Sequence, residues 1–215
     1  MKILALDSGQ KSQSFCLTEI KLDHDENYLS HKILTANNFE GKSSELIENI
    51  KEHFIKAKQS VSEINLLAAN IGPGSFTGIR NALSIIKTLS LELKIPVFIS
   101  NSFDLLRFEH KLNEDESICI PAFKGNFFIS EIIENSTENI PKGNIKNEYF
   151  SFNNTLKRVY DYIRENSSEL IVEYYIAKVM LAKTSLSKKS NIIDYKDIED
   201  LEPYYLREPS VGKKC

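Results

Sequence analysis

The residues best suited to chemistry form one run after an apolar stretch, where three of the chain's eight glycines fall within seven positions. This run, called the glycine segment below, reads Gly72, Pro73, Gly74, Ser75, Phe76, Thr77, Gly78, Ile79 and Arg80. Glycine reaches backbone angles closed to other residues, and Ser75 or Thr77 can cap a following helix. The free N–H groups of a helix start bind anions, which favours a phosphate site. The composition also suits a close strand–turn–helix junction, or a surface that another protein covers.

Two catalytic motifs are near misses in the glycine segment. A Walker A loop places a lysine after its glycines, but Ile79 follows Gly78. A nucleophile elbow requires Gly-x-Ser-x-Gly, and Ser75 stands one place too early for that pattern. We therefore expect Ser75 to cap a helix, and a protease or esterase is the least supported class of function.

A second candidate site is the turn made by Asp7, Ser8 and Gly9, which directly follows the first apolar run. In actin-like and sugar-kinase folds, an acidic residue and small residues between the first two strands approach metal and phosphate. This similarity predicts a remnant of a phosphate loop at residues 7–9. Asp-Ser-Gly is also a common composition for an ordinary tight turn.

The sequence has no metal-ligand spacing, so we expect no metal. The histidines are His24, His31, His53 and His110. None of them has a second histidine at H-x-x-x-H spacing, and all four are expected at the surface. The cysteines Cys16, Cys119 and Cys215 form no C-x-x-C pair, which argues against a zinc site and indicates a reducing cytosol.

The composition is that of an ordinary globular protein, with 41% hydrophobic and 27% charged residues among 215. The net charge is −3 and Lys alternates with Glu, so we expect contact with nucleic acid only through a partner. The first apolar run ends at Asp7, which is too short for a signal peptide or a membrane span. A cytoplasmic protein that does not engage a membrane is therefore expected.

The apolar pattern predicts strands alternating with helices. Strands are expected at residues 2–6, 14–20, 29–35, 66–69, 97–99, 117–122 and 127–134, with a loop over 135–147. Helices are expected at 46–57, from Gly78 to about 93, across 105–108, at 153–164 and at 169–182. Such an order is typical of an α/β fold with a mixed sheet. Residues 1–104 and 105–215 are expected to form two subdomains, with the final segment packing back on the first.

Three segments resemble, in order and spacing, the TsaB family of bacterial tRNA threonylcarbamoyladenosine biosynthesis proteins. They are Ile3–Ser8, the glycine segment and Pro203–Arg207. The resemblance implies an actin-like (ASKHA, ribonuclease H-like) fold whose two subdomains have mixed sheets flanked by helices. It also implies a non-catalytic subunit, a degenerate relative of the transferase TsaD, which modifies an adenosine of tRNA.

The same resemblance implies partners. The chain would bind TsaD and the ATPase TsaE, form a homodimer when alone, and meet tRNA only through the complex. It implies no catalytic residue and no cofactor of its own, although ATP and Mg²⁺ could sit at the complex interface. The family places its partner surface on the first two helices. Interface residues are therefore expected at Leu46, Ile50, Ile79, Leu83 and Ile86. Ile55, Ile85 and Leu91 fall off the strongest apolar stripes, and such exposed apolar positions on paired helices could form a helix-bundle interface or simply complete the core.

Two departures from the family pattern weaken ligand roles elsewhere. Lys42 stands where the family commonly has histidine, and the stretch beginning at Pro121 lacks an expected acid. An alternative hypothesis is an active actin-like small-molecule kinase or ATPase, with Asp7 and the glycine segment holding Mg-nucleotide. That activity would need a second glycine-rich loop, and the later glycines, Gly125, Gly143 and Gly212, are isolated.

Overall fold

Two mixed β-sheets form the framework of the structure. It is a computed structural model that describes residues 1–10, 12–42, 45–113, 118–122, 126–130, 135–139, 145–146, 149–152, 155–159, 166–181 and 191–204. Within these residues the strands are β1 (Lys2–Asp7), β2 (Gln13–Leu22), β3 (Tyr28–Phe39), β4 (Leu66–Asn70), β5 (Val97–Ser100), β6 (Ile118–Pro121), β7 (Asn126–Ser130), β8 (Asn135–Asn139), β9 (Ile145–Lys146), β10 (Tyr149–Phe152), β11 (Thr155–Val159) and β12 (Ile192–Ile193). The α-helices are α1 (Leu46–Lys56), α2 (Phe76–Leu93), α3 (Ser102–His110) and α4 (Ser167–Tyr175).

The first sheet has the strand order β12-β5-β4-β1-β2-β3. Strands β1, β2 and β3 form an antiparallel meander, whereas β4 runs parallel to β1 and β5 runs parallel to β4. β1 lies in the middle and is buried on both faces, which explains why its sequence is apolar almost without interruption.

Helices cover both faces of this sheet and create two separate cores. On one face, Leu4 and Leu6 pack with apolar residues of α1 and α2. On the other face, Ile3 and Ala5 pack with residues of α3 and α4. The second core also contains Ile118 of β6, so α3 and α4 contact the second sheet as well. Successive β1 side chains alternate between the two cores, as the period of a strand requires.

Local capping signals begin α2 and α3 close to the ends of parallel strands. At the start of α2, Ser75 Oγ accepts a hydrogen bond from Gly78 N at 3.2 Å. At the start of α3, Asn101 Oδ1 accepts one from Asp104 N at 2.8 Å. Both caps satisfy N–H groups that lack a partner inside the helix. The two helix starts therefore meet the same edge of the first sheet, where β4 and β5 end.

The second sheet repeats part of this topology in the order β8-β7-β6-β11-β10-β9. Strands β6, β7 and β8 form another antiparallel meander, and β11 runs parallel to β6 as β4 does to β1. The predicted α/β architecture with mixed sheets is confirmed.

Two predicted elements are wrong, and both fall in the second half. Residues 135–147 were expected to be a loop but include β8 and β9. β8 is an edge strand, and an edge tolerates the polar sequence Asn135–Asn139 because it pairs on one side only. Residues 153–164 were expected to be helical, yet Thr155–Val159 is a strand between β6 and β10. Pairing on both sides overrides the weak helical spacing of that stretch.

The last described segment returns to the first sheet. β12 pairs antiparallel with β5, and a 3₁₀-helix at Tyr195–Asp200 lies against α2. There Lys87 Nζ donates a hydrogen bond to the carbonyl oxygen of Glu199 at 2.8 Å. The expected division between residues 104 and 105 falls within α3. Of the described helices, none combines the length and apolar composition needed to cross a membrane.

The core between the sheets generates a stability prediction. Phe98 is fully buried, and its ring centroid lies 5.1 Å from that of Tyr175 and 6.0 Å from that of Tyr174. We expect Phe98→Ala to lower the free energy of unfolding by about 3–5 kcal/mol, because it leaves a cavity beside both rings. Urea unfolding measures the loss, and the exposed Leu91→Ala serves as the control. Equal stability of the two variants would contradict this packing.

Candidate functional site

A row of polar side chains crosses the first sheet at the end where β1, β4 and β5 finish. Asn38 is paired with Ser14, Ser14 with Asp7, and Asn70 with Ser100. Asp7 comes directly after Leu6, and Asn70 comes directly after Ala69. Leu6 and Ala69 are paired across β1 and β4. Residues aligned across a sheet share a face, and Asp7 shares its face with Ile3 and Ala5. These residues, called the polar belt below, therefore face α3 and α4: Asn38, Ser14, Asp7, Asn70 and Ser100.

Asp7 is the charged residue of the polar belt and is fully buried. Its Oδ1 accepts a hydrogen bond from Gly9 N at 2.8 Å, and its Oδ2 accepts one from Asn70 Nδ2 at 3.3 Å. Burial raises the pKa of Asp7 above its ordinary value, and hydrogen bonding by Gly9, by Ser167 at the start of α4 and by Asn70 opposes that rise. The carboxyl thus uses both oxygens for contacts inside the fold.

Asn70 joins the polar belt to the glycine segment. Its Oδ1 accepts a hydrogen bond from Gly72 N at 3.0 Å, and its Nδ2 donates to Ser102 Oγ at 3.0 Å. The Ser102 hydroxyl in turn donates to the carbonyl oxygen of Pro73 at 2.8 Å. Sequence reasoning missed Asn70, Ser102, Ser14 and Ser167. A polar residue at the end of a fully apolar strand, as in Leu66–Asn70, is the signal that could have found Asn70.

The glycines of the glycine segment are required by close backbone contacts. Gly72 has a φ of +108°, which other residues rarely adopt. A Cβ at Gly74 would overlap the carbonyl oxygen of Gly9, and a Cβ at Gly78 would overlap that of Ser8. Ser75 N also donates to the Gly9 carbonyl at 2.7 Å. The start of α2 is therefore pressed against the turn at residues 7–9, and the geometry favours the strand–turn–helix junction over a phosphate site.

The other half of the glycine segment lies at the surface. Ser75, Thr77 and Arg80 are exposed, and the Arg80 guanidinium lies 4.1 Å from the centre of the half-buried Phe76 ring. Next to this segment, Tyr204 N donates to the Ile71 carbonyl at 2.8 Å. Of the third motif, Pro203 and Tyr204 are described, and residues 205–207 lie outside the described residues.

The apolar residues expected at a partner interface are instead buried in the chain's own core. They are Leu46, Ile50, Ile79, Leu83 and Ile86. All five pack with Leu4 and Leu6 on the first sheet, so the apolar stripes of α1 and α2 are buried within the chain itself. The exposed apolar residues of these helices are different ones. Ile47 is 58% exposed, Ile55 is 68% exposed, and Leu91 is 45% exposed.

Metal ligands do not come together in the part of the chain that the structure describes, where no three His, Cys, Asp or Glu side chains form a possible site. His24, His31 and His110 are exposed, as expected. His53 is half-buried instead, with its ring 5.3 Å from that of Phe15 and its Nδ1 3.3 Å from Thr35 Oγ1. Cys16 and Cys119 are buried free thiols, and Cys215 lies outside the described residues.

Comparison with known proteins gives a family. The model described as "TsaD: tRNA N6-adenosine threonylcarbamoyltransferase" matches residues 40–189. The chain belongs to the TsaD family. One curated relative of this TsaD-family chain is from Buchnera aphidicola subsp. Schizaphis graminum. That relative is named "tRNA threonylcarbamoyladenosine biosynthesis protein TsaB", and is 30% identical over 43% of this chain and 45% of its own length.

Two further comparisons extend over more of the chain. The identically named protein of Buchnera aphidicola subsp. Acyrthosiphon pisum is 24% identical over 70% of this chain and 80% of its own length. The solved structure of "YeaZ from Pseudomonas aeruginosa" is 14% identical, covers 95% of this chain and 99% of that one, and superimposes with a TM-score of 0.59. The structural likeness confirms the actin-like, ribonuclease H-like fold of this TsaD-family chain.

Such a fold implies a Mg-nucleotide between its two halves, but the described residues of this TsaD-family chain do not fit that group. A carboxylate that holds Mg²⁺ through water must be accessible, whereas Asp7 is fully buried and hydrogen-bonded inside the protein. The backbone of residues 7–9 would cradle a phosphate, yet α2 already lies against the carbonyl groups of Ser8 and Gly9.

The raised pKa of Asp7 predicts a pH dependence of stability. The folded protein holds this proton more tightly than the unfolded chain, so stability is greatest below the ordinary pKa of 3.8 and falls as the pH rises through the folded pKa. Asp7→Asn removes the titrating group. We expect the free energy of unfolding of the variant, relative to wild type, to increase from pH 3.8 towards neutral pH. Urea titrations across this range measure it, and a difference independent of pH would contradict the buried carboxyl.

The close contact at Gly78 predicts the sign of a glycine substitution. Alanine inside a helix normally stabilises a protein by about 0.5–1 kcal/mol relative to glycine. At Gly78 the added methyl group meets the Ser8 carbonyl, so we expect Gly78→Ala to destabilise by about 1–3 kcal/mol. Gly41→Ala is the control, since its new methyl group meets chiefly the end of the flexible Glu45 side chain. A stabilised Gly78→Ala variant in thermal unfolding would rule out the junction.

Proposed function

We propose that this chain is a non-catalytic subunit of the machinery that makes threonylcarbamoyladenosine on tRNA, and that it binds and supports the TsaD transferase. Membership of the TsaD family and the names of the curated relatives support this proposal. Because the match covers 45% of the first relative's length, the activity and partners of that protein are carried over here as part of the proposal.

The non-catalytic role is supported by one observation, that the Asp7 carboxyl and the glycine segment are both engaged in contacts inside the protein. A catalytic or metal-binding carboxylate must reach the substrate or the ion, and Asp7 instead contacts Gly9, Asn70 and Ser167. A phosphate loop must offer free N–H groups, whereas the start of α2 packs on the turn at residues 7–9. These contacts argue against the alternative of an active small-molecule kinase or ATPase.

The surface proposed to bind TsaD lies on α1 and α2, at exposed apolar residues off the strongest stripes. Ile47 and Ile55 project from α1, and Leu91 projects from α2, each with a large exposed apolar side chain. Exposed apolar residues on helices commonly mark protein interfaces, because burying them against a partner removes their surface from water. The surrounding charges on α1 alternate in sign, as in Glu48, Lys51 and Glu52, which suits a polar rim.

The remaining parts of the proposal concern the complex. We propose that the same helices allow a homodimer when the chain is alone, and that TsaE joins the assembly with TsaD. ATP and Mg²⁺ would then be held at the complex interface, and tRNA would be reached through the complex in the cytoplasm. The net charge of −3 supports an indirect contact with tRNA, because direct binding relies on basic residues.

The test is co-purification of the chain with TsaD from the same organism. We expect Ile55→Glu combined with Leu91→Glu to weaken the complex at least tenfold, since each places a charge in an apolar contact. Both positions are exposed, so the variant should fold with its core intact. The matched control is Ile33→Glu, which changes a 42% exposed isoleucine on β3 and should leave binding unchanged.

Three results separate the possibilities. Selective loss with the α1–α2 variant supports the proposed surface, and loss with neither variant would move the interface elsewhere on the chain. If wild type fails to bind TsaD but hydrolyses ATP with a small substrate, the kinase alternative is correct and the proposed function is wrong.

A further inference from the structure

The polar belt continues across to the start of α4 and links two distant parts of the chain. Ser14 Oγ on β2 lies 2.9 Å from Ser167 Oγ, and it accepts a hydrogen bond from Ser168 N at 3.0 Å. All three serines are buried. Residues 14 and 167 are 153 positions apart, so these bonds are among the polar contacts that tie the second half of the chain to the first sheet.

The Ser14 hydroxyl makes two contacts with α4. A serine hydroxyl has one proton to donate and an oxygen that can accept. The Ser14 oxygen accepts from Ser168 N, and the proton between Ser14 and Ser167 can be supplied by either hydroxyl. The result is a short series of hydrogen bonds from the α4 backbone through Ser14 to the Ser167 hydroxyl.

We propose that this series is a latch that holds α4 closed on the first sheet in place of a bound nucleotide. In an actin-like protein that binds a ligand between its halves, the ligand supplies contacts to both of them. Here Ser14 of the sheet contacts Ser167 and Ser168 of α4 directly. The closed arrangement therefore requires no ligand, and the chain presents one fixed shape to a partner.

Because the latch is buried, its loss should destabilise the closed position of α4. Removing the Ser14 hydroxyl leaves Ser168 N without its acceptor in a site closed to water, which penalises the closed state. Apolar packing of α4 on β1, β2 and β4 does not depend on that hydroxyl. Loss of the latch should therefore increase local opening of α4 without unfolding the first sheet.

The experiment is amide hydrogen exchange on the full chain without partners, followed by mass spectrometry. We expect Ser14→Ala to speed exchange at residues 168–175 about tenfold or more, while exchange in α1 changes less than twofold. Ser167→Ala is the second variant, because alanine is readily accepted at a helix start and the variant should fold even if Ser14→Ala does not. The matched control is Ser84→Ala, whose exposed hydroxyl donates only to the Arg80 carbonyl of its own helix.

A second arm adds Mg-ATP to the wild-type chain. The latch predicts no change in the exchange of α4, since the space between the halves is already bridged. Slower exchange of α4 in Mg-ATP, or unchanged exchange in both serine variants, would overturn the latch. Equal acceleration in α1 and α4 would also overturn it, because it would show loss of global stability. None of these outcomes depends on TsaD binding, so the latch and the proposed function can fail separately.

Discussion

Burial of the Asp7 carboxyl is the constraint around which the rest of the site is arranged. A carboxyl group removed from water must find hydrogen-bond donors, or it destabilises the fold by several kcal/mol. Asp7 obtains them from a tight turn through Gly9, from the neighbouring strand through Asn70 and from α4 through Ser167. Each donor fixes one element relative to β1. The turn, the end of β4 and the start of α4 consequently have little freedom to move independently.

The composition of the glycine segment follows from the close packing around Asp7. With the turn at residues 7–9 drawn against Asp7, α2 can reach the sheet only if its first residues carry no side chain at the contact. Gly74 and Gly78 meet that requirement, and Asn70 secures the loop through Gly72 N. A composition that resembles a ligand loop thus stabilises a junction, while its outward residues, such as Thr77 and Arg80, remain at the surface.

Sequence reasoning succeeded where one dominant periodic pattern governs the structure. The elements up to α3 follow apolar spacing and capping residues such as Ser75 and Asn101, so their positions were predictable. It failed at β8 and β11, whose strand character comes from neighbours distant in sequence. The apolar stripes of α1 and α2, predicted as a partner surface, lie in the chain's own core for a related reason. A helix stripe indicates that a face is buried, but it does not indicate whether the covering surface belongs to the same chain.

The same limit explains why the candidate site was only half predictable. Asp7 and the glycine segment stand out by residue type, but Ser14 and Ser167 gain their role from contact across 153 positions. The structure that results is an actin-like core in which buried serines of β2 and α4 contact each other directly. A core joined in this way suits the proposed supporting role, because a partner can bind a surface that does not open and close.

The central claim is that this chain supports the transferase without performing catalysis itself. The most direct measurement is the rate of tRNA modification in a reaction reconstituted from TsaD, TsaE and the Asp7→Asn form of this chain. Asp7→Asn removes a carboxylate without removing its side-chain volume. If the role is structural, the rate should remain within about twofold of that with wild type. A decrease of about 10²–10⁴-fold with a folded, TsaD-bound variant would identify Asp7 as a catalytic group and contradict the claim.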